Sequence, residues 1–343
     1  MKEEWIKMIE ISALPKAELH LHLEGSLEAE TIMRLSQRNG IALPFASAEE
    51  LKQAYEFDNL QTFLDLFYAG LTVMVTARDF YEVTREYLEK AAADGVRHAE
   101  FYVSVQGHLR RGVTVDEMMT GIAQAFEEGA RDLGVTSTMI FGLQRQRPLE
   151  EAEAAFDAFT AEPRWLPLVS AIGMGGSEVG FPTAKFRPLY DRARALGWKT
   201  TVHAGEEGGP DAVREALIGL NPDRLDHGVR AFEDPDLTRE LVQSGMTLTV
   251  CPLSNLRLKV FETIEAHPLA KMLRAGLKVT VNSDDPSYFG GYIGANFIAA
   301  QQGLGLSDAE IIQLARNSFT GAFLPQEQIA HYLDALEAAL AAA

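Results

Sequence analysis

The chain has 343 residues, 47% hydrophobic and 23% charged, an ordinary globular balance that excludes disordered, collagen-like and coiled-coil proteins and leaves one large domain or two smaller ones open. Lys and Arg number 31 against 49 Asp and Glu, a formal charge of −18. Such a field repels polyphosphate, which argues against nucleic acid and anionic membrane as partners and for a small neutral or cationic ligand.

The single cysteine, Cys251, excludes an internal disulfide and a cysteine-rich zinc site. The start, Met1-Lys2-Glu3-Glu4-Trp5, carries acids where a signal peptide needs an apolar stretch, and no run of ~18 apolar residues follows. A cytoplasmic protein is expected, with self-association into a homo-oligomer left open.

No Gly/Ser- or Pro-rich linker and no repeat divides the chain, so one domain over residues 1–343 is expected. Eight short β-type runs recur in order, at 17–23, 97–103, 137–143, 169–175, 199–204, 224–228, 247–252 and 278–284. Between them lie amphipathic stretches of helical period, several stopped by glycine, as at Gly95, Gly197, Gly245 and Gly276. This alternation predicts an α/β protein, a (β/α)8 TIM barrel with extra terminal helices, whose chemistry sits at the C-terminal strand ends.

Residues 26–95, between the first two strands, exceed a minimal connection and are predicted to form a largely helical insertion over the barrel mouth. Within it, Asp58-Asn59-Leu60-Gln61-Thr62-Phe63-Leu64-Asp65-Leu66-Phe67 reads either as a packing helix or as a lid on a pocket. The tail, 326–343, reads as an exposed amphipathic helix without chemistry.

The polar residues at the strand ends carry the functional signal. In Glu18-Leu19-His20-Leu21-His22-Leu23 two histidines at i and i+2 share one strand face, the barrel interior, while the leucines pack outward. Alone, a His-x-His motif is weak. A third histidine, His203, ends the fifth run with Glu206 three residues on; His227 ends the sixth; Asp284 and Asp285 end the eighth. Of eight histidines four stand at strand ends, and His98, His108, His267 and His331 are assigned to structural or exposed positions. Three imidazoles with a carboxylate suit one zinc with an open position for water, with Fe2+ or Mn2+ as alternatives because thiolate is absent. Such an ion supplies hydroxide near neutral pH. Asp284 and Asp285 must diverge on an extended strand, so only one ligates. Cys251, in an apolar strand before Pro252, reads as a buried thiol rather than a nucleophile.

The blocks Leu14-Pro15-Lys16-Ala17-Glu18-Leu19-His20-Leu21-His22-Leu23-Glu24-Gly25, Val202-His203-Ala204-Gly205-Glu206, Asp226-His227-Gly228, Cys251-Pro252-Leu253-Ser254-Asn255 and Asn282-Ser283-Asp284-Asp285-Pro286 resemble, in this order, the adenosine/adenine deaminase family of metal-dependent amidohydrolases. The resemblance implies a zinc barrel that hydrolyses the exocyclic amine of a 6-aminopurine, in purine salvage. It also implies roles: His20, His22, His203 and Asp284 as metal ligands, Glu206 as the acid that protonates ring N1, and His227 as the residue that orients water and stabilises charge. Asp285 would meet N7 and the backbone at Gly175 and Gly176 would meet N3, while Ser254 and Asn255 would hold the seventh loop.

The resemblance leans toward the adenine branch. Nucleoside deaminases carry Asp after His-x-His-Leu, where this chain has Glu24, one methylene longer and placed to intrude on the ribose space. Adenine, converted to hypoxanthine and ammonia, is the favoured substrate, with adenosine or an N6-substituted adenine as the alternatives. The segment 101–108 departs from both branches, lacking the Asp-Pro-Gln and the Arg-Phe-x-Pro runs. Cytidine-type zinc deaminases need Pro-Cys-x-x-Cys, which one cysteine excludes. Two other readings compete: hydrolysis of an amide, phosphoester or lactone on the same metal set, and a non-catalytic binder on an enzyme scaffold. A dinuclear site would normally add a bridging lysine, which no strand end offers; the second reading predicts loss of Glu206, His227 or Asp284, and all three are present.

Overall fold

The β-type runs are buried along nearly their whole length, polar residues included, and a strand buried on both faces is what a parallel sheet under a layer of helices requires. In the computed structural model, which describes residues 10–342, they form β1 (Lys16–His22), β2 (Val96–Val103), β3 (Thr136–Gln144), β4 (Val169–Gly175), β5 (Lys199–Ala204), β6 (Arg224–His227), β7 (Thr247–Val250) and β8 (Lys278–Val281). The start Met1 to Trp5 and the last residue, Ala343, lie outside the described residues. All neighbours pair in parallel and in chain order. Just past β8 the chain returns to β1: the His22 N–H donates to the Asp284 carbonyl at 2.9 Å and the Asp284 N–H to the His20 carbonyl at 3.1 Å. These bonds close the (β/α)8 barrel and put β1 and the turn after β8 side by side.

Four strands stop earlier than predicted, and the backbone turns away at or just beyond each stop. Leu23 is helical at φ −55° before the turn Glu24–Ser26, Gly228 is left-handed at φ +69°, Pro252 opens a short helix (Pro252–Arg257), and Asp284 is left-handed at φ +64°. Asp284 and Asp285 therefore diverge at a turn, not along an extended strand as expected. Non-glycine residues rarely adopt positive φ. His227, at φ +59°, does so too, so two of the candidate site residues hold a costly backbone conformation that the surrounding barrel must enforce.

Between β1 and β2 stand α1 (Ala29–Asn39), α2 (Ala48–Gln53), α3 (Leu60–Gly70) and α4 (Ala77–Ala93). A capping box starts α3: the Asn59 side chain accepts from the Thr62 N–H at 3.1 Å, while the Thr62 hydroxyl oxygen accepts from the Asn59 N–H at 3.3 Å. Phe63 then packs on Phe289 and Tyr288, with ring centroids 4.6 and 5.5 Å apart. The inner side of α3 walls the cavity at the barrel mouth through Leu60, Phe63, Leu64, Phe67 and Tyr68, so the helix both packs and covers.

The tail helix, Gln326–Ala342, is not exposed throughout: Ile329, Tyr332 and Leu336 are buried, and the Tyr332 hydroxyl lies 2.6 Å from Thr136 Oγ1. No described helix is long and apolar enough to cross a membrane.

Candidate active site

The period of two along β1 turns His20 and His22 into the barrel, and parallel pairing brings the end of β5 and the turn after β8 to the same level. His20 Nε2 and His22 Nε2 lie 3.0 and 3.1 Å from His203 Nε2, and each lies 3.3 Å from Asp284 Oδ1. The four side chains each offer one ligand atom, all within 4.8 Å of one another, a nitrogen and oxygen set that suits a zinc ion.

The outer ring atoms decide what the inner ones present. His20 Nδ1 is 3.1 Å from Thr249 Oγ1, and that hydroxyl donates to Asp226 Oδ1 at 2.8 Å, so His20 Nδ1 carries a proton. His203 Nδ1 faces Asp226 Oδ2 at 3.3 Å. The Nε2 lone pairs consequently point at one another. A proton on His20, favoured by Asp284 and Asp226 against the burial that opposes it, relieves one such contact. A divalent cation satisfies all four donors at once, and the residues present fit one.

Asp226 is the hub behind this cluster. It is fully buried and also accepts from the Tyr102 hydroxyl. Burial works against its ionisation, but His20, His203 and Arg224 overcome this and hold its carboxyl well below the usual range. Tyr102 stacks on His22 with centroids 4.8 Å apart, and it has room only because position 173 is glycine, where a Cβ would fall 2.4 Å from the Tyr102 hydroxyl.

Above the four donors stand Glu206 and His227. His227 Nε2 is 3.5 Å from Glu206 Oε2 and 3.9 Å from Asp284 Oδ2. Among the described residues neither His227 nitrogen has a hydrogen-bond partner, nor does Glu206 Oε1, although all are buried. Burial pushes the Glu206 carboxyl well up, with Asp284 the next cause and Glu178 after it, a shift toward its protonated form. His227 is driven down by burial and by His20, and His203 down to about 4 for the same two reasons. Burial also opposes ionisation of Asp284, but His20, His22 and His227 keep its carboxyl well below the usual range. Two adjacent carboxyls are thus split: Asp285 is pushed well up by burial and by Asp284. Its Oδ1 is unpartnered, and it packs so tightly on Gly25 that a Cβ there would lie 1.9 Å away.

Gly175 and Gly176 line the same cavity. A Cβ at Gly175 would touch His203 Nε2 at 3.4 Å, and Gly176 has φ +92°. Glu24 sits differently. It is wholly buried behind the cavity wall, where its Oε1 accepts from the Ser104 N–H and from His108 Nε2, both at 2.8 Å. His108 Nδ1 in turn accepts from Arg111 at 2.6 Å. His108, assigned from sequence to a structural or exposed position, thus supports a candidate site residue. Ser254 does more than hold its loop, donating to Asp284 Oδ2 at 2.7 Å. The remaining histidines match their assignment: His98 and His267 are buried on Thr136 and Asn255, and His331 is exposed. The Cys251 thiol is buried, and burial pushes its pKa well up.

The adenosine deaminase family model matches residues 15–339, nearly the whole described chain and every block that meets at the cavity. The chain belongs to the adenosine deaminase family. Among its relatives in this family, an adenine deaminase from Sphingopyxis alaskensis is 51% identical over 328 residues, 96% of this chain and 95% of its own length. The crystal structure of an adenine deaminase from Arthrobacter aurescens superposes with a TM-score of 0.91 at 44% identity, covering 94% of this chain and 98% of the other. A zinc-bound amidohydrolase from Burkholderia ambifaria, 30% identical, superposes with a TM-score of 0.87 over 99% and 98% of the two chains.

Sequence reasoning missed Asp226, Thr249 and Tyr102 as the support of the histidines. Asp226 stood inside a quoted block, next to His227, but only the pairing of β5 with β6 reveals that it faces His203.

Proposed function

We propose that the protein hydrolyses adenine to hypoxanthine and ammonia, with one zinc ion held by His20, His22, His203 and Asp284. The observation that carries this reading is a buried carboxyl, Glu206, set beside a four-donor cluster with His227 between them, its ring nitrogens and Glu206 Oε1 without a partner among the described residues. The names of the relatives at 51% and 44% identity support adenine as the substrate. The zinc in the amidohydrolase at 30% identity supports the metal.

Zinc, when bound, makes water acidic enough to serve as a nucleophile near neutral pH. The chain's own residues handle the purine and the protons. The aromatic C6 is a poor electrophile, so ring N1 has to gain a proton as water adds, and Glu206, whose burial favours its protonated form, is the group to give it. His227, kept neutral, has both ring nitrogens free to orient the attacking water and to stabilise charge growing on its oxygen. Asp285, with its raised pKa, offers an O–H to N7, and the backbone at Gly175 and Gly176 faces N3. The α3 wall excludes bulk water, which strengthens each of these polar contacts. Adenine and water give hypoxanthine and ammonia without a redox step or a further cofactor.

A substrate panel tests this reading. Hypoxanthine and ammonia are expected from adenine, with adenosine, cytosine and guanine releasing ammonia far more slowly and N6-methyladenine, whose leaving group is methylamine, followed by hypoxanthine formation and also far slower. Turnover of any of the other four above adenine, or of none of the five by metal-replete protein, overturns it.

A further inference from the structure

The loop that carries Glu206 leaves β5 through Gly205, at φ +77°, and runs Gly205-Glu206-Glu207-Gly208 before the helix Pro210–Leu220. These four residues belong to no strand or helix, so their amide groups need acceptors outside the regular ladders. All four find the same side chain. Glu178 Oε1 accepts from the Gly205 N–H at 2.7 Å, and Oε2 accepts from Glu206 at 3.1 Å, Glu207 at 3.0 Å and Gly208 at 3.0 Å. In return the Glu178 N–H donates to the Glu207 carboxylate at 3.1 Å.

Glu178 is only 7% exposed and is not on the cavity wall. The approach is close enough to dictate sequence, because a Cβ at Gly208 would sit 2.6 Å from Glu178 Oε1. On the other side of the strand end, the buried Arg145 donates to the His203 carbonyl and feels the Glu178 charge before any other. Hydrogen bonds to an ionised acceptor are about twice as strong as neutral ones. Four of them fix a loop that has no regular structure to fix it.

We infer that Glu178 is a positioning residue for the reaction: its carboxylate gathers four successive backbone N–H groups and so sets where the Glu206 side chain stands relative to the purine. This rests on the acid role given to Glu206 above. Glu178 does not touch the substrate; it acts through Glu206. A misplacement of ~1 Å in a reacting group is worth ~10²-fold in rate, and the loop can shift by that much once the clamp is lost.

The test is a double-mutant cycle on adenine deamination with Glu178→Gln and Glu206→Gln, with metal per chain measured in every variant. In the wild-type background Glu178→Gln is expected to lower kcat by ~30-fold or more, with KM changed less than ~3-fold and metal content unchanged. In the Glu206→Gln background the same change is expected to cost less than ~3-fold, because the residue it positions has already lost its proton. An equal loss in both backgrounds overturns the inference, since it means that Glu178 holds the site in general. So does a kcat for Glu178→Gln within ~3-fold of wild type. Near wild-type turnover by Glu206→Gln itself removes the acid role and the inference with it, an outcome read from a different variant. Should Glu178→Gln fail to fold, Glu178→Asp shortens the same side chain by one methylene, so that its carboxylate cannot reach all four N–H groups. Its loss is expected to vanish in the Glu206→Gln background, and an equal loss in both backgrounds overturns the inference.

Discussion

Replacing Asp226 by Asn changes almost no volume yet removes the charge on which the histidine cluster leans. Asp226 accepts from Thr249 Oγ1 at 2.8 Å and from the Tyr102 hydroxyl, and it faces His203 Nδ1 at 3.3 Å. An amide at this site leaves a buried N–H2 turned toward at least one donor, and a buried unsatisfied group costs ~1–3 kcal/mol. Arg224 keeps its partner Glu100 at 2.6 Å, so its own charge is not stranded. The loss therefore falls mainly on the orientation of His20 and His203. Removing such support from metal-ligating histidines weakens metal binding by ~10- to 100-fold, equivalent to ~1.4–2.7 kcal/mol. Zinc affinity measured by competition with a chromophoric chelator is expected to fall by that factor, with turnover restored at saturating zinc. Unchanged affinity, within ~3-fold, would refute the claim that Asp226 organises the site.

Other outcomes follow from the same geometry. Elemental analysis of protein purified without chelator is expected to find about one zinc, iron or manganese per chain, and activity that survives full metal removal counts against the four-donor assignment. Glu206→Gln is expected to keep the metal and lose ~10²-fold or more in kcat, whereas near wild-type turnover denies its role as the acid. Glu18, buried on β1 and accepting from the Ser283 N–H at 2.8 Å, is pushed by burial up to about 7 from its ordinary 4.5. A carboxyl raised in the fold contributes stability below about 4.5 that is lost as pH rises through about 7, so Glu18→Gln is expected to flatten the fall in Tm between about pH 5 and 8, a difference of ~3 kcal/mol. An unchanged slope rules out Glu18 as its source.

The parts of the fold legible in the sequence were those governed by short periods. His20 and His22 share a face because strands repeat every two residues, and the eight strands show as short β-type runs between helical stretches that end at glycine. What stayed hidden depends on contacts between distant segments. No local signal says that Glu178 reaches residues 205–208, that Thr249 bridges His20 to Asp226, or that His108 supports Glu24. The strand ends were read too long for a related reason. His227 and Asp284 are left-handed although neither is glycine, and the closed barrel, not local propensity, enforces that. The helix over the mouth was ambiguous because an apolar face looks the same whether it covers a core or a cavity; α3 does both.

Glu24 offers the sharpest test of substrate choice. Burial works against its ionisation, yet the hydrogen bond from His108 prevails and holds its carboxyl below the usual range, while burial keeps His108 neutral. Arg111 occupies His108 Nδ1, so Nε2–H is the atom that donates to Glu24. The carboxylate is thus pinned to Ser104 and His108, and Ser104 with Val103 forms part of the cavity wall. If this pinned wall closes the space that a ribose would need, adenine is expected to be used with a kcat/KM at least ~10²-fold above adenosine. Glu24→Asp withdraws the carboxylate by one methylene, ~1.5 Å, so it cannot keep both 2.8 Å bonds. The wall loosens, and the ratio is expected to narrow without inverting, because Leu60, Phe63 and Phe67 of α3 still bound the pocket. His108→Gln, which weakens the same pin from its other end, is expected to narrow the ratio in the same direction. Equal or better use of adenosine by the wild-type protein rejects the free base as substrate. A strong adenine preference that survives both substitutions moves the selectivity from Glu24 to the aromatic wall of α3.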